Sequence, residues 1–155
     1  MTETAVDYEN LKVVVFQLAD KEYVIPVSQV QGIEKLIYIT RVPKTPSFVK
    51  GVINLRGVVT PIIDLKNRFG LGESSLNEST RIIIITLDDM DDMDVGVIVD
   101  SANDVLDIPV GSIEPQPEVV GGMEQDFIAG VAKIDSRLLI LLHLNHVLNP
   151  IKSGV

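Results

Sequence analysis

The chain has no cysteine among its 155 residues, which excludes disulfide bonds and thiolate chemistry and allows a reducing compartment. Positive charge is scarce: 13 Lys and Arg stand against 22 Asp and Glu, a formal net charge of −9. Nucleic acid and anionic membranes both demand a cationic surface, so neither is expected as a partner; a basic or polar protein surface is. Long apolar runs are missing as well. The longest, such as Leu138 to Leu142, fall far short of a membrane span, so no direct membrane insertion is expected. The opening MTETAVDYEN is acidic and lacks the basic and apolar regions of a secretory signal.

What the chain does have is branched aliphatics in short runs: VVVF, YVIPV, GVIN, VVTPII, RIIIITL, VGVIV and LLILL. Runs of this kind, punctuated by Gly, Pro, Asp or Asn, read as strands, and their spacing is that of a sandwich or barrel. The length suffices for one domain, or for two small lobes sharing a core. Helical stretches are short: Leu65 to Phe69 before Gly70, and His143 to Leu148 before Pro150. The polar segment 70–79 (GLGESSLNES) separates two halves.

The halves repeat one another. Residues 12–18 (KVVVFQL) match 81–87 (RIIIITL) in residue type. Tyr23, Ile25, Val27 and Ile33 match Val95, Val97, Val99 and Val105 at one offset. Phe48, Gly51, Val52, Leu55, Ile62, Ile63 and Leu65 match Phe127, Gly130, Val131, Ile134, Leu141, Leu142 and Leu144 at another. Each copy supplies about five short strands, which suits a small closed barrel. Features found in one copy only are then the better candidates for function. Asn54-Leu55-Arg56-Gly57 is such a feature, because the second copy has Lys133-Ile134-Asp135-Ser136 there. It reads as a hairpin turn whose glycine permits a positive φ. Arg56 makes a local ion pair, for instance to Asp64, or meets a partner. Its rigid five-donor fork and the enrichment of Arg in interface hot spots favour the partner.

Catalytic and metal chemistry find little support. The acidic run Asp88 to Asp94 fails calcium-loop spacing, with methionine and aspartate at the fifth and sixth positions counted from Asp89; it reads as a solvated hairpin loop. His143 and His146, the two histidines, lack further ligands that would complete a metal set. Gly70-Leu-Gly-Glu-Ser-Ser lacks the Gly-Lys-Ser/Thr ending of a phosphate loop, and no nucleophile elbow occurs. No cofactor is expected.

Phe48-Val-Lys-Gly51-Val-Ile-Asn54-Leu55-Arg56-Gly57, followed by Pro61-Ile-Ile-Asp64-Leu65, resembles the signature of the CheW family of bacterial chemotaxis coupling proteins. Further agreement lies in Tyr23-Val-Ile-Pro-Val27, Val30-Gln31-x-Ile33, Arg41 with Pro43 and Thr45-Pro46, Gly96-Val-Ile-Val-Asp100, Asp104-Val-Leu106 and Phe127-Ile-Ala-Gly130. The resemblance implies a mainly β fold of two pseudo-repeated five-stranded SH3-like β-barrels sharing a hydrophobic core, with short helices. It implies one CheW-like domain over 11–149, made of intertwined lobes at roughly 12–70 and 80–149, with tails 1–10 and 150–155. It also implies a non-enzymatic, cytoplasmic scaffold recruited to membrane receptor arrays. Its partners would be the regulatory domain of the histidine kinase CheA and the cytoplasmic tip of methyl-accepting chemoreceptors. Receptor binding is expected at Val30, Ile33, Asn54 and Arg56, and kinase coupling or turn geometry at Gly51, Gly57, Gly96 and Gly130. Relatives often carry glutamate where this chain has Gly32, which removes any polar contact expected there.

Competing expectations are a CheW-like module of a larger adaptor or kinase, and a small-molecule carrier that uses a barrel interior. The start and the KSGV ending favour a free-standing protein, and Ile/Val/Leu-rich strands are expected to fill a five-stranded barrel completely.

Overall fold

The computed structural model describes residues 10–86, 93–115 and 125–148. The fold is mainly β. The first half contributes β1 (Asn10–Leu18), β2 (Lys21–Pro26), β3 (Val30–Lys35), β4 (Val49–Leu55) and β5 (Val58–Asp64), then the one-turn helix α1 (Leu65–Arg68). The second contributes β6 (Arg81–Thr86), β7 (Asp94–Val99), β8 (Ser101–Pro109), the two-residue β9 (Ile113–Glu114), β10 (Ile128–Ile134), β11 (Arg137–Leu142) and α2 (Leu144–Val147).

The strands form two mixed sheets, ordered β8-β1-β2-β11-β10-β9 and β3-β6-β7-β5-β4. Each sheet takes strands from both halves of the chain. Exchanging the repeat-related strands (β1 with β6, β2 with β7, β3 with β8, β4 with β10, β5 with β11) turns one order into the other, with the two-residue β9 left over and matched only by the isolated Thr40–Val52 bridge. The correspondence holds to single residues. The β1–β8 ladder slips where Val15 faces Asp104 and Phe16 faces Ala102; the β3–β6 ladder slips at the repeat-related positions, where Gly32 faces Ile84 and Val30 faces Ile85. Bulges also fall before both Gly51 and Gly130.

Three cores follow from this arrangement. A central core lies between the sheets and includes Phe16, Tyr23, Ile25, Ile63, Ile83, Ile85, Val97 and Ile140. One lateral core is built on the first sheet from Val13, Val15, Val24, Ile108 and Leu139. The other is built on the second from Ile53, Ile62, Ile82, Ile84 and Ile98. Alternate residues of one strand therefore enter different cores, Ile82 and Ile84 one, Ile83 and Ile85 the other. That is why Arg81–Thr86 reads as an unbroken aliphatic run rather than an alternating one.

The two edges of each sheet are joined by one continuous stretch of chain. Beyond β3 the chain reaches Thr40, whose backbone exchanges hydrogen bonds of 2.9 and 2.8 Å with Val52 of β4. Beyond β8 it reaches Glu114, which pairs with Val131 of β10. SH3-like five-stranded barrels fit this arrangement.

Both expected helices form. Asp64 caps α1, its Oδ1 accepting from the N–H groups of Lys66 and Asn67. A chain of aromatic rings runs through the centre, Phe16–Tyr23–Phe69–Phe127, with centroids 5.5–5.8 Å apart. Arg68 lies over both Phe48 and Phe127, its guanidinium carbon 4.9 and 4.6 Å from their ring centroids. Most of the acidic run Asp88 to Asp94 lies outside the described residues; Asp94 opens β7 and accepts a hydrogen bond from Thr86 Oγ1.

Candidate functional site

The polar break between β4 and β5 is shorter than its composition predicts. Asn54 and Leu55 remain in the ladder, opposite Val59 and Val58, so the loop is Arg56-Gly57 alone. Arg56 has φ 52° and Gly57 φ 86°. Two successive left-handed residues make a type I′ turn, the connection whose twist matches its flanking strands. The second copy makes the same turn with Asp135 at 49° and Ser136 at 71°, so the backbone form belongs to the fold and the arginine does not. Asn54 fixes the turn, its Oδ1 accepting from the Gly57 N–H at 2.8 Å.

Arg56 projects from this rigid tip with its side chain 71% exposed, and its Nη1 lies 3.8 Å from Glu34 Oε2 on β3. The expected local partner, Asp64, is engaged elsewhere. It is fully buried, accepts from the N–H and Oγ of Ser74 at 3.0 and 2.6 Å, caps α1, and lies 3.9 Å from Lys50 Nζ. A buried carboxylate holding a loop and a helix start is structural, and the half-buried Glu34 replaces it as the arginine's neighbour. The turn of the second copy is anchored differently. Arg137 Nε and Nη2 donate to Glu22 Oε1 and Oε2 at 3.0 and 2.9 Å, and Nη2 lies 3.8 Å from Asp104. The hydrogen bond to Glu22 pushes the Arg137 pKa above its ordinary value.

The β3 bulge decides where the other expected contact residues point. In a regular strand, residues three apart face opposite ways. Here Val30 and Ile33 sit opposite Ile85 and Ile83, on the face of the central core, while Gly32 and Glu34 sit opposite Ile84 and Ile82. Val30 packs partly buried against that core, and Ile33 stays 43% exposed. The Arg56–Glu34 contact joins the tip to the Ile33 end of β3. Val30 lies four residues back, roughly 13 Å along the strand. Val58 and Val59, which sequence reasoning did not single out, follow the turn with 58% and 67% exposure.

The glycines divide by cause. A Cβ on Gly51 would stand 2.0 Å from the Thr40 carbonyl oxygen, and one on Gly130 would stand 2.8 Å from that of Glu114. Both therefore admit the chain segment that joins the edges of their sheet. A Cβ on Gly96 would meet Ile62 Cδ1 at 2.6 Å and Ile82 Cγ2 at 2.8 Å; the lateral core has no room there for one more carbon. Gly57 meets nothing within 4 Å and is held by its φ alone.

Among the described residues no cluster of three or more His, Cys, Asp and Glu could hold a metal ion, and no helix is long and apolar enough to cross a membrane. His143 and His146 stack on each other, centroids 3.9 Å apart.

Comparison with known proteins covers nearly the whole chain. The family model described as the CheW-like domain matches residues 12–152. A chemotaxis protein CheW of Bacillus subtilis is 46% identical over 138 residues, spanning 89% of this chain and 86% of the relative. A chemotaxis protein CheW of Klebsiella aerogenes is 36% identical, over 87% of this chain and 80% of the relative. The crystal structure of the scaffolding protein TtCheW from Thermoanaerobacter tengcongensis superposes with a TM-score of 0.81 at 38% identity, covering 89% of this chain and 87% of that one.

Proposed function

Because the chain belongs to the CheW-like domain family, we propose that it is a non-catalytic chemotaxis scaffold that couples transmembrane chemoreceptors to the histidine kinase CheA. The observation that carries this reading is the 46% identity to a chemotaxis protein CheW over 89% of this chain. The scaffold works in the cytoplasm at receptor arrays and acts by occupying two surfaces at once. One lobe meets the regulatory domain of the kinase. The receptor's helical tip meets the surface that carries Arg56, Ile33 and Val30. A ligand signal then passes as a change in relative geometry, with no chemistry on this chain.

The hairpin tip supports the receptor assignment. Arg56 is held by a type I′ turn that Asn54 locks, so little backbone entropy remains to be lost on docking. Its side chain is mostly exposed, and its Glu34 neighbour at 3.8 Å is a long contact that a better acceptor displaces. Exposed Val58 and Val59 add apolar area beside a cationic fork, the composition of an interface hot spot. Gly51, Gly96 and Gly130 then affect coupling through the shape of the lobes rather than through contact. A carrier reading finds no support at Gly96, where the barrel interior is filled.

The test is reconstitution. Receptor-containing membranes, CheA and the purified chain should give receptor-dependent kinase activation, and co-sedimentation should recover all three together. Co-sedimentation with neither kinase nor receptor would overturn the reading.

A further inference from the structure

Residues 35–63 contain Lys35, Arg41, Lys44, Lys50 and Arg56, five of the chain's 13 basic residues, and none of its 22 carboxylates. In a chain of net charge −9 this is a strong segregation of sign. Three of the five line one groove of about 390 Å³, where Arg41, Lys44 and Lys50 share the wall with Val42, Pro43 and Pro46 and with a single carboxylate, Glu73, which faces Lys50. The groove sits beside the start of β4, and the Arg56 tip lies beyond its end. Seven strand residues separate them, roughly 20 Å.

The groove is pre-organised. Its entry is fixed by the Thr40–Val52 bridge, and its exit by Ser47 Oγ donating to Asn67 Oδ1 at 3.1 Å. Pro43 and Pro46 set their own φ. Between them the chain turns at Val42-Pro43-Lys44-Thr45, with Thr45 Oγ1 donating to the Val42 carbonyl at 3.0 Å. Lys44 has φ 64°. Proline at the second position and a positive φ at the third mark a type II turn, whose third position favours glycine. A lysine is held there instead, at the groove's rim. Lys50 lies 3.5 Å from Glu73 Oε2, whereas no carboxylate among the described residues pairs with Arg41 or Lys44.

We infer that this groove docks an acidic, extended segment of a protein partner, at a surface separate from the Arg56 tip. The cations offer charge-assisted contacts to carboxylates, and the prolines and Val42 offer an apolar floor to the segment's backbone and small side chains. The chain's overall negative field repels acidic peptides, so binding depends on this local reversal of sign.

The test uses the purified full chain and a fluorescein-labelled octaglutamate peptide at low ionic strength. Anisotropy should show saturable binding that weakens with salt, and amide chemical shifts should move at the non-proline residues of 41–50 and stay still at 54–58. Arg41→Gln with Lys44→Gly should weaken binding at least about fivefold, two surface charge contacts being lost. Glycine relieves the turn at residue 44, so this variant should melt no lower than the parent. Lys66→Gln with Lys133→Gln removes the same charge elsewhere and should leave binding unchanged. No saturable binding, equal weakening in the two double variants, or shifts centred on the Arg56 tip would each overturn the inference. Inorganic phosphate at equal charge concentration should compete weakly; full competition would show a small-anion site instead. Because the assay contains neither kinase nor receptor, its failure leaves the coupling reading standing.

Discussion

Arg68 Nε donates to the carbonyl oxygen of Val147 at 2.8 Å, and Val147 occupies in the second copy the place that Arg68 holds in the first. The bond therefore crosses the pseudo-twofold relation and ties α1 to α2. The same guanidinium stacks on Phe48 and Phe127, themselves repeat-related. One side chain thus bridges the two copies.

Arg68→Leu should cost roughly 2–3 kcal/mol, from a charged hydrogen bond and two partly shielded cation–π contacts. At about 2–4 °C per kcal/mol for a chain of this size, the melting temperature should fall by roughly 5–10 °C. Arg68→Lys should recover little, because the planar fork makes both the stack and the bond. Calorimetry on the three proteins checks this; full rescue by lysine would contradict it.

Gly51 and Gly57 should part company. Gly51→Ala drives a Cβ to 2.0 Å from the Thr40 oxygen, so the Thr40–Val52 bridge must open and the loss should exceed about 3 kcal/mol. Gly57→Asn meets empty space in the left-handed region that Ser136 already occupies, at φ 71°, in the other copy, and should cost under about 1 kcal/mol. Gly57→Val, β-branched at positive φ, should cost more than Gly57→Asn. Urea titration of the variants decides the order.

In the lateral core, the repeat-related partner of Gly96 is Val24, which faces Leu141 where Gly96 faces Ile62. Gly96→Ala should cost about 1–3 kcal/mol through overpacking. Ile62→Val removes the Cδ1 atom that the new methyl meets at 2.6 Å. The double variant should then be more stable than the sum of the two losses predicts, a coupling of at least about 0.5 kcal/mol. Strict additivity would contradict the clash.

Tyr23 is almost fully buried, and desolvation, helped by the charge of Asp20, pushes its pKa from 10.0 up to about 12. Above pH 10 the unfolded chain ionises this tyrosine while the folded one keeps its proton. Stability should be intact below pH 10 and fall by roughly 2–3 kcal/mol as the pH rises to about 12. Tyr23→Phe should flatten that decline in denaturant titrations at pH 9 to 12. An unchanged slope would show that other groups control the alkaline limit.

The repeat was legible because it needs only residue type and offset, and the ladders honour it down to their bulges. Pairing was not legible. An offset says that β1 corresponds to β6; it cannot say that β1 lies beside β8 while β3 lies beside β6. The same limit explains the Arg56 neighbour. Asp64 is close in sequence and was the natural acid to name, but a buried cap and a loop clamp engage it, and Glu34 arrives from another strand. Val30 and Ile33 look opposed at their spacing, and the bulge, an effect of tertiary packing, puts them on one face. The charge segregation of residues 35–63 was open to counting from the start; only the fold turns part of it into a groove.

The proposed coupling role is tested most directly at Arg56. Its contact with Glu34 is long and mostly exposed on the arginine side, worth at most about 0.5 kcal/mol, so Arg56→Ala should melt within about 2 °C of the parent. Loss of a charge-assisted contact to a partner corresponds to about 1.5–3 kcal/mol, a ten- to hundredfold drop in affinity, and Arg56→Glu should be worse. The deciding measurement is receptor-dependent CheA activation titrated with parent and Arg56→Ala, paired with the melting temperature of the same preparations. Equal melting is expected, with the Arg56→Ala activation curve shifted at least tenfold to higher concentration. Equal melting with superimposable activation curves would contradict it.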